Sequence, residues 1–335
     1  MLTKSLKSYS IALVAFALAA SSFLIPLLSL SQIVSAQFDP TDTGQKGTAS
    51  VKNISVQDYD KMKNCATDTS KQPTSIEYLT YFNCGRVSQN GNQTVREFTL
   101  IVKENQTVEV MQGGYNLRAW TFNGTVPGPT MRMTEGDLVR ITLINDPSSK
   151  HSHSIHMHSI HSSVMDGVEG AGIVAPGKSF TYEFIAQPYG VYPYHCHVAP
   201  VADHINRGLY GMMIIDPKEP RPQMHEMAML MNGYDFNYDQ EGPNFIPSKD
   251  EINSGEIPDS QERDNELYSV NGKAFDYMYH PIQLIAGEKY RIYLVNVLEF
   301  DKVNSMHIHG NMFEWYPEGT SMTPAYLTDI VTLGQ

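Results

Sequence analysis

The sequence predicts an all-β protein with two β-sandwich domains in tandem. Three observations carry this: a length that accommodates two cores, apolar and polar residues alternating over strand-sized stretches, and an internal repeat that spans both halves. The chain has 335 residues, enough for two ordinary domains that each bury a core. Apolar residues make up 41% and charged residues 18%, a globular composition. The formal net charge of -12 excludes a nucleic-acid binder, because phosphate backbones select basic surfaces. The acidity suits a soluble exported protein and is given no further role.

The first 36 residues read as a signal peptide or N-terminal anchor: Lys4 and Lys7, an apolar run from Ile11 to Leu30, then the small triplet Val34, Ser35, Ala36. The remainder is therefore expected to be exported, into an extracellular or periplasm-like space. Asn-x-Ser/Thr triplets at Asn53, Asn92, Asn105 and Asn123 fit export and add little weight. Residues 37–90 form a polar extension, expected to lie over the domains and to be stapled by a Cys65–Cys84 disulfide. Of the three cysteines this leaves Cys196 unpaired. Its neighbours His195 and His197 point to a metal thiolate rather than an inert buried thiol.

From Arg96 onward, alternations such as "REFTLIVKENQTVEVM" and "DLVRITLIND" are separated by Gly, Pro and Asn turns, the patterning of a sandwich. Domain 1 is expected over residues 91–217 and domain 2 over 218–335. The proline-rich stretch Ile215 to Gln223 reads as the linker, and Asn237 to Asp264 as a polar excursion or lid. The methionine-rich "MHEMAMLM", Met224 to Met231, reads as strand core.

Gly136 and Gly287 each precede a strand, "DLVRITLIN" and "EKYRIYLVN", that closes at Asn145 or Asn296, an offset of 151 residues. The pairs His156-Met157-His158 and His307-Ile308-His309 are 151 residues apart as well. Two strands, two turns and two His-x-His pairs thus recur in register, and the second half reads as a copy of the first.

Of 12 histidines, eight lie in two groups: His151, His153, His156, His158 and His161, then His195, His197 and His204. Along a strand, side chains alternate faces, so His156 and His158 share one face and His195 and His197 share another, while Cys196 points the opposite way. One strand then serves two metal sites. A thiolate with two imidazoles and a weak axial group suits electron-transfer copper, and the imidazole side suits a copper cluster. Structural zinc takes more cysteine than this chain offers. His151 and His161 read as ordinary hydrogen-bonded histidines.

The motifs "WTFNGTVPGPTMRMTEGDLVRITLIND", "HSIHMH", "YHCHVAPVADHINRGLYG", "SVNGKAFDYMYHPIQLIAGEKYRIYLVN" and "MHIHG", between Trp120 and Gly310, resemble those of two-domain multicopper oxidases of the small laccase-like kind. These are proteins of cupredoxin-like Greek-key sandwiches, related to copper nitrite reductases. The resemblance implies type 1 copper on His153, Cys196 and His204, type 2 copper on His156 and His307, and a type 3 pair on His158, His195, His197 and His309. It implies oxygen reduced to water at that cluster with electrons entering at type 1 copper from a small-molecule or protein donor. It also implies a head-to-tail homotrimer whose cluster forms between domain 1 of one subunit and domain 2 of the next.

Three departures bear on this. Asn304 stands 151 residues after His153, so domain 2 is expected to hold no type 1 copper. Leu209 stands where the family often has an axial methionine, with Met212 as the alternative ligand after a local shift; a missing thioether raises the copper potential. The counterpart of His195-Cys196-His197 falls beyond Gln335, so domain 2 is expected to be truncated and two cluster ligands to lie outside this sequence. A copper nitrite reductase, which resembles this family but has Asp where this chain has His156, is the alternative enzyme. A non-catalytic cupredoxin carrier would use His153, Cys196 and His204 and leave the His-x-His pairs idle. Asp166 and Glu169 are weak candidates for proton relay.

Overall fold

The computed structural model describes residue 65 and residues 72–159, 161–235, 245–246 and 264–335. The signal or anchor, most of the polar extension and most of the predicted lid lie outside the described residues. What is described is mostly β-strand, as predicted, in cupredoxin-like sandwiches.

One sheet of the first sandwich is built on β3 (Gln93–Met111), which pairs with β2 (Arg86–Asn90), with β4 (Tyr115–Phe122) and, in parallel, with β6 (Leu138–Asn145). Antiparallel β8 (Ser179–Ile185) closes the far edge against β6. The other sheet runs β1 (Phe82–Asn83), β5 (Thr130–Thr134), β10 (Tyr210–Asp216), β9 (Gly190–His195) and β7 (His156–Met157). From β4 to β9 the chain crosses between sheets at nearly every connection, so residues close in sequence are divided between the two layers.

The pleat explains the core. In β6 every second residue is buried, and Val139, Ile141 and Leu143 meet Met131, Met133, Tyr182, Tyr194 and Met213 between the sheets. Each such side chain contributes about 1.5–3 kcal/mol on leaving water. Cys196 and Leu209 belong to this core.

Strand β10 is buried at every position. Met213 and Ile215 face the first core, whereas Met212 and Ile214 face a second one, formed with Phe82, Ala228, Leu230, Tyr293 and Val295. That second core lies against β11 (His225–Tyr234), which pairs in parallel with β14 (Tyr290–Asn296) and antiparallel with β13 (Leu267–Val270). The parallel β11–β14 pair repeats the β3–β6 pair, so the strands predicted as copies occupy equivalent places. Strand β15 (Val303–His307) ends on the first histidine of the second His-x-His pair and is held by β18 (Ile330–Gly334).

A buried charge network links the two halves. Arg132 donates from Nε and Nη2 to the two Asp216 carboxylate oxygens, at 2.8 and 3.0 Å, and from Nη1 to Glu226 at 2.6 Å. Arg291 and the Tyr293 hydroxyl also donate to Glu226, each at 2.7 Å.

The Cys65–Cys84 disulfide is present as expected. Part of the predicted extension is woven into the sandwich: β1 pairs with β5, β2 pairs with β3, and Tyr78 and Phe82 are fully buried. In the stretch read as linker, Ile215 and Asp216 belong to β10.

Candidate metal centre

His153, Cys196 and His204 come from three separate elements. His153 lies in the β6–β7 loop and is pinned by paired backbone bonds with Val174, at 3.0 and 2.7 Å. Cys196 directly follows β9, and its N–H donates to the Leu209 carbonyl at 3.0 Å. His204 sits on a short helix, Val201–Asn206. All three are buried, and their donor atoms lie within 4.8 Å of one another. Cys196 Sγ is 3.1 Å from His204 Nδ1 and 3.8 Å from His153 Nδ1.

The chemistry of this donor set fits a soft cation. Burial pushes the Cys196 thiol up to about 11, so its proton leaves when a metal takes its place. Burial, then the neighbouring His153, hold His204 down to about 3, and burial likewise lowers His153. Both imidazoles are neutral with a lone pair to offer. The Ser154 amide, 3.4 Å from Sγ, supplies a hydrogen bond suited to a thiolate. Trp120 lies edge-on to the rings of both His153 and His204, with centroids 5.2 and 4.8 Å away.

Leu209 shares the core of Cys196, whereas Met212 faces the other core. The pleat of β10 therefore directs the Met212 thioether away from the thiolate.

On the other side of the chain at Cys196, four imidazoles gather as the alternation requires. His158 Nε2 and His195 Nε2 are 3.0 Å apart. His156 has ring centroids 4.8 Å from His197, 5.1 Å from His158 and 5.3 Å from His195. Burial, then His156 and His197, lower His158 to about 4, and burial with the neighbouring histidines lowers His195 to about 3. The converging nitrogens of His156, His158 and His195 are what a copper cluster takes as ligands.

His307 and His309 stand in neither group. They pair with each other, centroids 4.6 Å apart, with His307 ending β15 and His309 exposed just beyond it. His307 nevertheless repeats a detail of His156: His156 Nδ1 bonds the Asp166 carbonyl at 2.9 Å, and His307 Nδ1 bonds the Asp329 carbonyl at 2.8 Å. Each imidazole thereby has Nδ1 engaged, which leaves Nε2 for a metal.

Several participants escape sequence reasoning. Glu104, Trp120, Ser154 and Asp329 all touch candidate ligands. A charged residue at an inward position of an alternating strand is the signal that could have found Glu104. His151 bonds Glu104 and lies tilted against Trp120, while His161 bonds the Met157 carbonyl and also stands with His156 and Asp166 in a group whose donor atoms could hold a metal. Asp166 places a carboxylate oxygen 3.2 Å from His156 Nδ1.

A family model described as multicopper oxidase matches residues 99–220. Among solved structures, a multicopper oxidase is 41% identical, covering 78% of this chain and 84% of that one, with a TM-score of 0.68. A copper nitrite reductase from Nitrosomonas europaea is 30% identical, covering 72% and 81%, with a TM-score of 0.55. A copper-containing nitrite reductase of Neisseria meningitidis serogroup B is 32% identical over 219 residues, which is 64% of this chain and 54% of that protein. That of Neisseria gonorrhoeae is 32% identical over 62% of this chain and 52% of its own length. The chain spans about half the length of these curated relatives. The fold and the buried Cys/His site define a copper-binding protein of the cupredoxin superfamily. The chain belongs to the multicopper oxidase family.

Proposed function

We propose that the chain is an exported copper oxidoreductase that takes electrons one at a time at His153, Cys196 and His204 and uses them to reduce oxygen to water at a histidine-built cluster. Copper, when bound, supplies one-electron transfer at the thiolate site and oxygen reduction at the imidazole site. The observation that carries the reading is the convergence of His156, His158 and His195 behind Cys196, with His197 beside His156, together with the matching Nδ1 engagement of His156 and His307.

In this reading His153 and His204 would be the type 1 ligands with Cys196, and Leu209, buried in the same core as Cys196, offers no ligand. His156 and His307 serve the type 2 position, and His158, His195, His197 and His309 the type 3 pair. Because His195 and His197 flank Cys196, the covalent path from the electron-entry site to the cluster is two residues or fewer. Asp166 is placed to hold a proton beside His156. The exposed His307 and His309 add to the set when domain 2 of one copy, residues 218–335, meets domain 1 of another, residues 91–217, which makes a head-to-tail homotrimer the expected assembly. The electron donor is a small molecule or another redox protein.

A copper nitrite reductase is the second reading, favoured by the nitrite reductases among the relatives. The two readings differ at His156, where that enzyme carries Asp. Oxygen consumption with a generic reductant, nitrite turnover and copper content, measured on wild type and His156→Asp, separate them. The oxidase reading expects wild type to consume oxygen, and His156→Asp to lose oxygen reduction while keeping its blue colour. A wild type that turns over nitrite, ignores oxygen and holds two coppers per chain supports the nitrite reductase instead.

A further inference from the structure

Glu104 is buried against the electron-entry site, and the proposed reaction gives it no part. In β3 the neighbours Lys103 and Asn105 point to solvent while Glu104 points inward. The ladder to β4 shifts register between Lys103 and Gln106 at this point, and Asn105 adopts a φ of 55°. The strand is therefore locally deformed where a charged side chain enters the interior.

An isolated buried carboxylate costs several kcal/mol, and here four hydrogen bonds offset that cost. Lys150 N and His151 N donate to it at 3.0 Å each, His151 Nδ1 lies 3.2 Å away, and His153 Nε2 lies 2.9 Å away. With donors arrayed around both oxygens, the carboxylate meets the ring of His153 on the side opposite Cys196.

We propose that Glu104 is a positioning residue that sets the reduction potential of the copper held by His153, Cys196 and His204. Resting on the blue-copper reading, the argument runs through His153. With Nε2–H donated to a carboxylate, the tautomer is fixed and the Nδ1 lone pair faces the thiolate. The same bond draws the Nε2 proton toward oxygen and enriches the ring in negative charge, which stabilises the doubly charged cupric ion over the cuprous one. Leu209 acts in the opposite sense, since the absence of an axial thioether donor favours the cuprous state. His151 competes with His153 for Glu104 Oε1, so it reduces the charge that reaches the ligand ring.

Two substitutions test this in opposite directions on copper-loaded, full-length protein. Glu104→Gln keeps the shape and removes the charge; the blue band should persist and the midpoint potential should rise. His151→Phe keeps a ring to lie against Trp120 and removes the Nδ1 partner; its potential should fall. The expected size is about a tenfold change in the equilibrium constant with a one-electron dye couple, ~59 mV for one electron. In metal-free, 15N-labelled protein, His153 should carry its proton on Nε2 in wild type and become a tautomer mixture in Glu104→Gln. A blue Glu104→Gln variant with the wild-type potential overturns the proposal and leaves the blue-copper reading intact. Should that variant fail to fold, an unchanged or raised potential in His151→Phe overturns it equally. A wild type that binds copper without blue colour removes the reading beneath the proposal, and the proposal falls with it.

Discussion

Replacing Arg132 by methionine tests whether the two halves are joined by charge as the structure indicates. Its side chain is 4% exposed and bonds both oxygens of Asp216, itself 4% exposed. A carboxylate this buried is poorly reached by water, and removing one partner of a buried pair costs about 3–5 kcal/mol, because the other charge is left uncompensated. Glu226 loses less, since Arg291 and Tyr293 continue to donate to it. Asp216 loses both of its bonds from Arg132 and keeps the more distant Arg221, 3.6 Å away. The cost should therefore fall mainly on Asp216, and adding Asp216→Asn to Arg132→Met should recover part of it. Urea unfolding followed by circular dichroism reads the difference, while the blue absorbance of the folded fraction, set by residues on the far side of β10, should be unchanged. An Arg132→Met cost below about 1 kcal/mol, or a double variant less stable than the single one, refutes this reasoning.

The same network predicts an acid limb. Burial opposes ionisation of Glu226, but Arg132, Tyr293 and Arg291 prevail and hold its carboxyl below the usual 4.5. On acidification the unfolded chain binds this proton first, so the contribution is present above pH 4.5 and lost as pH falls below it. Urea midpoints measured against pH should drop less steeply in Glu226→Gln, and identical slopes contradict the assignment. In light scattering at micromolar concentration the active, copper-loaded protein should have the mass of three chains; a fully active monomer contradicts assembly through His307 and His309.

Legibility in the sequence followed periodicity. Strands β6 and β14 were readable because a sandwich strand alternates and because the repeat recurs at a fixed offset. The two faces around Cys196 were readable because His-Cys-His alternation depends on nothing beyond the pleat. Three cysteines left one sensible pairing, and Cys65–Cys84 forms it.

What stayed hidden depends on contacts between residues distant in the chain. Glu104 meets His153 across 49 residues, and the pattern of β3 records an inward position without saying what faces it. Choosing between Leu209 and Met212 required knowing that β10 is buried on both faces, which removes the alternation that would have distinguished them. Strands β1 and β2 were missed because two and five residues among polar neighbours carry too little period. The shared Nδ1 posture of His156 and His307 rests on backbone carbonyls, which no side-chain pattern reports.

The most direct test of the central claim is the visible spectrum of copper-loaded protein beside that of Cys196→Ser. The geometry of His153, Cys196 and His204 predicts an intense thiolate-to-copper band in wild type and its loss in the variant, with copper still retained by the histidines behind the thiolate. A colourless wild type, or a blue band that survives in Cys196→Ser, contradicts the account.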